Sequence, residues 1–157
     1  MLREGLPDFS EIGKHKFRFE YDSASYQLES EVYQPKSIQT IKLVEANLDY
    51  NFKFIDRSGL QNLLDQSQAD EIIIVKNGLV TDSSYSNLAF FDGSGWWTPE
   101  RPLLAGIRRA SLLDRGKIKT IKIRIDDLLK YEKVSLVNAM LDLDELTIST
   151  KAIFQGR

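Results

Sequence analysis

The chain has 157 residues, 42% of them hydrophobic and 28% charged, with a formal net charge of −2. That is an ordinary globular balance, with neither the basic excess that nucleic acid demands nor an apolar run of membrane-span length. Cysteine is absent and histidine occurs once, at His15, which excludes disulfides, thiolate metal sites and a cysteine nucleophile and disfavours zinc and Ser-His-Asp chemistry. Acid–base work at neutral pH then falls to carboxylates, lysine or a borrowed cofactor. The opening MLREGLPDFSEIGK has no apolar signal core, so the expected compartment is the cytoplasm.

Residues 16–22 (KFRFEYD) alternate, with Phe17, Phe19 and Tyr21 on one face, and residues 26–33 alternate again after a turn at 23–25. Residues 38–46 (IQTIKLVEA) read as a third, more buried strand and residues 50–55 (YNFKFI) as a short fourth. Leu60, Leu63 and Leu64 form a helical stripe, capped by Asp56 or Ser58. Residues 71–75 (EIIIV) are a strand that turns at Asn77-Gly78 into 79–82. Residues 87–91 (NLAFF) and 96–98 (WWT) make a second hairpin around Asp92-Gly93. Pro99 and Pro102 bracket a loop before a helix over 106–115, stopped by Gly116. Strands follow at 120–125, 134–140 and about 146–150, with a short helix at 126–131. The expected fold class is α+β: strand-rich, with modest helices, joined by hairpins rather than by regular βαβ repeats.

Several local features carry candidate chemistry. Lys53 lies in the aromatic strand YNFKFI. Alone it reads as an exposed edge lysine; the functional alternative is a partly desolvated amine beside Arg57, with a lowered pKa that would make it a nucleophile or base. Asp82 and Asn87 flank SSYS and read in isolation as turn or cap residues. Gly106-Ile107-Arg108-Arg109 opens a helix, where free backbone N–H groups and arginines suit a phosphate. The plainer reading is a solvated basic turn. Trp96-Trp97 is most simply packing.

The order of these features is informative. A strand lysine and a helix are followed by Thr81-Asp82-Ser83-Ser84-Tyr85-Ser86-Asn87, then Thr98-Pro99 with Pro102-Leu103, then Gly106-Ile107-Arg108-Arg109. Over roughly residues 38–144 this resembles the fold-type IV pyridoxal-phosphate enzymes, or class IV aminotransferases. That family includes branched-chain and D-amino-acid aminotransferases and 4-amino-4-deoxychorismate lyase. Its blocks T-E-G/x-S-x-x-N, T-P-x-L and G-I-T-R look like the three segments above. The resemblance implies a two-part architecture, with 1–46 a reduced N-terminal α/β portion and 47–157 a strand-rich portion that binds pyridoxal 5′-phosphate.

The resemblance also implies roles. Lys53 matches the lysine that holds the cofactor covalently, and its context K-F-I-D-R is closer to the lyase pattern K-x-L-N-R than to the branched-chain pattern. Asp82 matches the acid that pairs with the pyridine nitrogen; the family mostly has glutamate there, one methylene longer. Asp82 follows Lys53 by 29 residues, which implies a shortened helix between them. Asn87 closes the same block. Gly106, Ile107 and Arg108 match the phosphate-holding helix start, with Arg108 in place of the family's threonine. Asn138-Ala139-Met140 resembles the lyase's N-A-L-M strand, whose backbone lines the phosphate side. Arg57 and Tyr85 are substrate-side candidates.

The family's opening strand and helix, with H-x-x-R-L, have no counterpart, so the expectation is that they are missing and that Met1 is an internal or misassigned start. The implied activity is a lyase that makes 4-aminobenzoate and pyruvate, a step of folate biosynthesis. The alternatives are an aminotransferase acting on a branched-chain or D-amino acid, or an inactive relative serving as an interaction module. The implied assembly is a homodimer, with Phe90, Phe91, Trp96 and Trp97 clustered on one hairpin as an association patch. Neither nucleic acid nor a membrane is expected as a partner.

Overall fold

The alternating aromatic and charged residues after Gly13 pair as an antiparallel hairpin, β1 (His15–Tyr21) with β2 (Tyr26–Val32). It belongs to the first of two units, Met1–Lys36 and Ser37–Arg157. The computed structural model describes residues 12–47 and 58–155, without the side chain of Gln155. The hairpin turn is made by Asp22, whose Oδ1 accepts from the amides of Ala24 and Ser25, both at 2.7 Å. Phe17, Phe19 and Tyr21 share a face by strand periodicity, and the Phe19 ring lies 5.6 Å from Tyr21 and 5.8 Å from Tyr26.

The second unit is built on β4 (Glu71–Lys76). Its run of β-branched residues suits a strand covered on both faces, and Ile72, Ile73, Ile74 and Val75 are all fully buried. β3 (Ile41–Glu45) runs parallel to it on one side and β5 (Leu79–Ser83) antiparallel on the other. Asn77 and Gly78, with φ of 53° and 72°, form the tight turn between β4 and β5. The sheet continues through β6 (Asn87–Phe91), β9 (Lys133–Val137) and β10 (Thr147–Ser149). β7 (Trp96–Pro99) pairs with β6 and with β8 (Lys119–Ile121), and β11 (Ile153–Gln155) closes the far edge beside β3. Helix α1 (Ser58–Ser67) covers one part of the sheet, where Leu60 packs with Ile72 and Ile74. Helix α2 (Ile107–Asp114) covers another, where Leu112 packs with Ala89, Ile118 and Val137.

The mixed α+β class stands, but the connections are less regular than hairpins alone. β3 and β4 are parallel, with α1 between them in sequence, and β11–β3 and β7–β8 are parallel too. The strand expected over 134–140 stops at Val137, because Asn138 Oδ1 accepts from the amides of Met140 (2.8 Å) and Leu141 (3.0 Å) and turns the chain. The strand expected over 38–46 begins only at Ile41. Before it, the amides of Gln39 and Thr40 donate to Asp70 Oδ2 at 2.9 and 2.8 Å instead of joining the ladder. The strand expected over 120–125 ends at Ile121, and the short helix after it is a 3-10 helix, Ile125–Lys130, opened by Asp127 accepting from the Arg124 amide. The expected strand at 50–55, with Lys53, and the candidates Asp56 and Arg57 lie outside the described residues.

Candidate active site

Asp82 owes its position to an irregularity in the sheet. Between the pairs Ile73↔Ser83 and Val75↔Val80, two residues of β5, Thr81 and Asp82, face the single residue Ile74. Such a bulge re-aims a side chain. Thr81 Oγ1 donates to Ile74 O at 2.8 Å and fixes the extra residue. Asp82 then leaves β4 and pairs with Asn87 across the start of β6. The four residues between them form a turn in which Ser83 N donates to Ser86 O at 2.9 Å and the two serine hydroxyls lie 2.8 Å apart. From the buried end of β4, Glu71 Oε1 accepts from the Ser84 amide at 2.9 Å and ties the turn down.

Across from this turn runs the proline-bracketed loop. Leu104 is held at both ends of its peptide unit: its N–H donates to Asp82 Oδ2 at 2.9 Å, and its carbonyl accepts from Asn87 Nδ2 at 2.8 Å. Asn87 Nδ2 also donates to Asp82 Oδ1 at 2.9 Å. Gly106 follows. A Cβ there would lie 2.3 Å from Asn87 Oδ1, so only glycine lets the loop pass this close. Helix α2 begins immediately afterwards, with Gly106 extended (φ −69°, ψ 143°) and no side chain capping its amides.

These pieces enclose a cavity of about 290 Å³, at the low end of the roughly 300–1,000 Å³ usual for small-molecule sites. Leu60 of α1, residues 82–87, residues 103–108, Asn138 and Ala139 line it. Of the residues singled out from the sequence, Asp82, Tyr85, Asn87, Gly106, Ile107, Arg108, Asn138 and Ala139 therefore meet at one place, while Lys53 and Arg57 lie outside the described residues. Burial pushes the Asp82 carboxyl up to about 6, against the lowering pull of hydrogen bonds from Asn87, Leu104 and Leu103 and of the Arg109 charge.

The two arginines at the helix start do different work. Arg109 is buried: its Nε donates to Thr98 Oγ1 at 3.1 Å and its Nη2 to Pro99 O at 2.8 Å, which pins α2 to β7. Arg108 lines the cavity, with Nη1 at 3.4 Å from Asp142 Oδ2 and Nη2 at 3.5 Å from Ala139 O. Asn138 spends its side-chain oxygen on its own turn, where it accepts two amides, and lines the cavity beside Ala139.

Sequence reasoning missed the walls made by Leu60, Leu104 and Ala105, and the partnership of Arg108 with Asp142. Leu104 acts through its backbone, which leaves no trace in residue type. The Arg108–Asp142 pair spans 34 residues with no local pattern.

The profile of the amino-transferase class IV family matches residues 53–143. A protein of Haemophilus influenzae Rd with no assigned function is 39% identical over 125 residues, covering 78% of this chain and 66% of its own length. A crystal structure from Haemophilus somnus 129PT, provisionally assigned as a 4-amino-4-deoxychorismate lyase, is 43% identical, covers 82% of this chain and 68% of that one, and superposes with a TM-score of 0.76. A hypothetical aminotransferase of Mycobacterium tuberculosis in its PLP-bound form shares the fold, at 15% identity over 88% of this chain and 59% of that one, with a TM-score of 0.68. This chain belongs to the class IV aminotransferase family, and its fold is that of the fold-type IV pyridoxal-phosphate enzymes. It spans about two-thirds of the length of its Haemophilus relatives.

Proposed function

We propose that the cavity between Asp82 and the start of α2 binds pyridoxal 5′-phosphate, and that the protein is a lyase acting on 4-amino-4-deoxychorismate to give 4-aminobenzoate and pyruvate. The observation that carries the reading is the pairing, in one cavity, of a buried bulge carboxylate with an uncapped helix start. The donor set suits the cofactor at both ends. A pyridinium N–H would give the buried Asp82 a cationic partner. The amides at the start of α2 have no partners within the helix and suit a phosphate. The Haemophilus somnus relative supports the choice of lyase over aminotransferase, as does K-F-I-D-R around Lys53.

Bound there, the cofactor supplies an electron sink for the carbanion left at the substrate's α-carbon. The rest falls to this chain. Lys53 is the proposed covalent anchor; its Nζ takes the α-proton and returns a proton to the departing enolpyruvyl group. Asp82 keeps the pyridine nitrogen protonated, held in line by Asn87 and the Leu104 amide. Ile107 and Arg108 present backbone N–H groups to the phosphate. Gly106 and Asn87 set how closely the loop approaches, Asn138 and Ala139 wall the phosphate side, and Tyr85 and Arg57 are the proposed substrate-side residues. In this reading 1–46 is the smaller portion, 47–157 the cofactor-binding portion, and the chain acts in the cytoplasm as a homodimer.

The test is turnover of 4-amino-4-deoxychorismate with pyridoxal phosphate and no keto acid, with 4-aminobenzoate and pyruvate measured together. The expected result is equal amounts of both. Turnover that needs a keto acid would make the protein an aminotransferase. Cofactor binding with no turnover of any amine would leave it a binding module.

A further inference from the structure

We propose that the Arg108 side chain is a mobile anion-binding arm, held by Asp142 when the cavity is empty and exchanged onto the cofactor's phosphate when it fills. The proposal rests on the pyridoxal-phosphate reading and adds a side-chain contact and a competing carboxylate to it.

The start of α2 is electrostatically unbalanced. A helix N-terminus carries a partial positive charge and favours acidic side chains in its first turn. Here the first turn has no acidic residue; its second and third positions are Arg108 and Arg109. Gly106 supplies no capping oxygen, and the first intrahelical bond is from the Ala110 amide to Gly106 O at 3.0 Å. Amides and guanidinium groups thus accumulate positive potential at one end of the cavity. An anion is the group that balances it.

Arg109 cannot reach for that anion, because Thr98 and Pro99 already hold it in a buried position. Arg108 can. Its side chain is 35% exposed and lines the cavity. Its contacts, 3.4 Å to Asp142 Oδ2 and 3.5 Å to Ala139 O, are long beside the roughly 2.7–2.9 Å of a tight charge-assisted bond. A half-exposed pair of this length is weak and gives way to a dianion that offers two oxygens to the guanidinium fork. Asp142 itself stays in place, because its Oδ1 accepts from the Leu143 amide at 2.8 Å and its own amide donates to Glu145 Oε2 at 2.9 Å. Asp142 and the phosphate therefore compete for one cation. Removing the carboxylate's charge frees the arm, and removing the guanidinium leaves the phosphate with backbone donors alone.

The experiment titrates the full chain with pyridoxal phosphate and, separately, with pyridoxal, which lacks the phosphate, by cofactor absorbance and tryptophan fluorescence. For Arg108→Gln, pyridoxal-phosphate affinity should fall by about tenfold with pyridoxal affinity unchanged. Asp142→Asn should raise pyridoxal-phosphate affinity by about two- to fivefold, again without effect on pyridoxal. The double variant should bind like Arg108→Gln, because Asp142 acts only through the arm. Arg108→Lys should recover part of the loss. Equal weakening of both ligands by Arg108→Gln, or no weakening, would overturn the proposal while leaving the cofactor reading intact. If Arg108 instead grips a substrate carboxylate, Arg108→Gln leaves pyridoxal phosphate unaffected and raises KM alone, which also overturns it. A parent chain that binds neither ligand would remove the cofactor reading itself.

Discussion

Asp82 links stability to function at the scale of a single residue. Its carboxyl sits near the ordinary 3.8 in the unfolded chain and at about 6 in the folded one, with burial the leading cause. Between those values the folded state holds more protons than the unfolded state, so stability falls as pH rises through the window and levels off above it. The carboxyls of Asp22, Asp70, Asp92 and Asp127 are shifted the other way by their hydrogen bonds and titrate below it. The cofactor-free protein should therefore lose about 1 kcal/mol of this contribution between about pH 5 and pH 7.5, and Asp82→Asn should abolish that slope. Urea unfolding of both proteins at the two pH values reads it; parallel slopes would mean that Asp82 is not desolvated. In the loaded enzyme the same substitution should cut turnover by about a hundredfold or more, as expected when a preorganised electrostatic partner is removed. Activity equal to the parent would reduce Asp82 to a turn residue.

Elements explain why some of this was legible in the sequence and some was not. Asn77-Gly78, the run 87–91 and the stop at Gly116 are local: a positive φ, a short apolar run before a turn and a left-handed cap are encoded within a few residues. The site motif was legible for the same reason, since residues 82–87 and 106–108 each act as a short block. The bulge at Thr81 and Asp82 was not, because it depends on register against β4. The parallel partners β3 and β11, separated by more than a hundred residues, were hidden too. Two glycines separate local from tertiary demands. Gly78→Ala meets open space at φ +72° and should cost about 1 kcal/mol of backbone strain with cofactor affinity unchanged. Gly106→Ala drives a Cβ to 2.3 Å from Asn87 Oδ1. Asn87 is pinned by Asp82 and Leu104, so the loop must move, at about 1–3 kcal/mol and with cofactor affinity lowered. Urea melts and cofactor titrations of the two variants should separate in that way. Equal affinities would remove the Asn87–Gly106 contact from the site.

For the whole molecule, family membership and fold are established by the class IV profile and the Haemophilus relative, whereas assembly is a proposal. The hairpin aromatics that suggested an association patch are largely used within the chain. Phe90 is fully buried, Phe91 packs tilted against Trp96 with ring centroids 5.0 Å apart under the Lys133 ammonium, and Trp97 Nε1 donates to Asp92 at 2.7 Å. No helix among the described residues is long and apolar enough to cross a membrane. Light scattering at micromolar concentration should give about twice the chain mass of 18.0 kDa; a monomer alone would contradict the homodimer. The central claim, the proposal that the cavity between Asp82 and the start of α2 holds pyridoxal phosphate with Lys53 as its covalent anchor, is tested most directly by borohydride reduction of the cofactor-treated protein followed by peptide mapping. The account predicts one pyridoxyl group per chain, on Lys53. Label on another lysine, spread over several, or absent would contradict it.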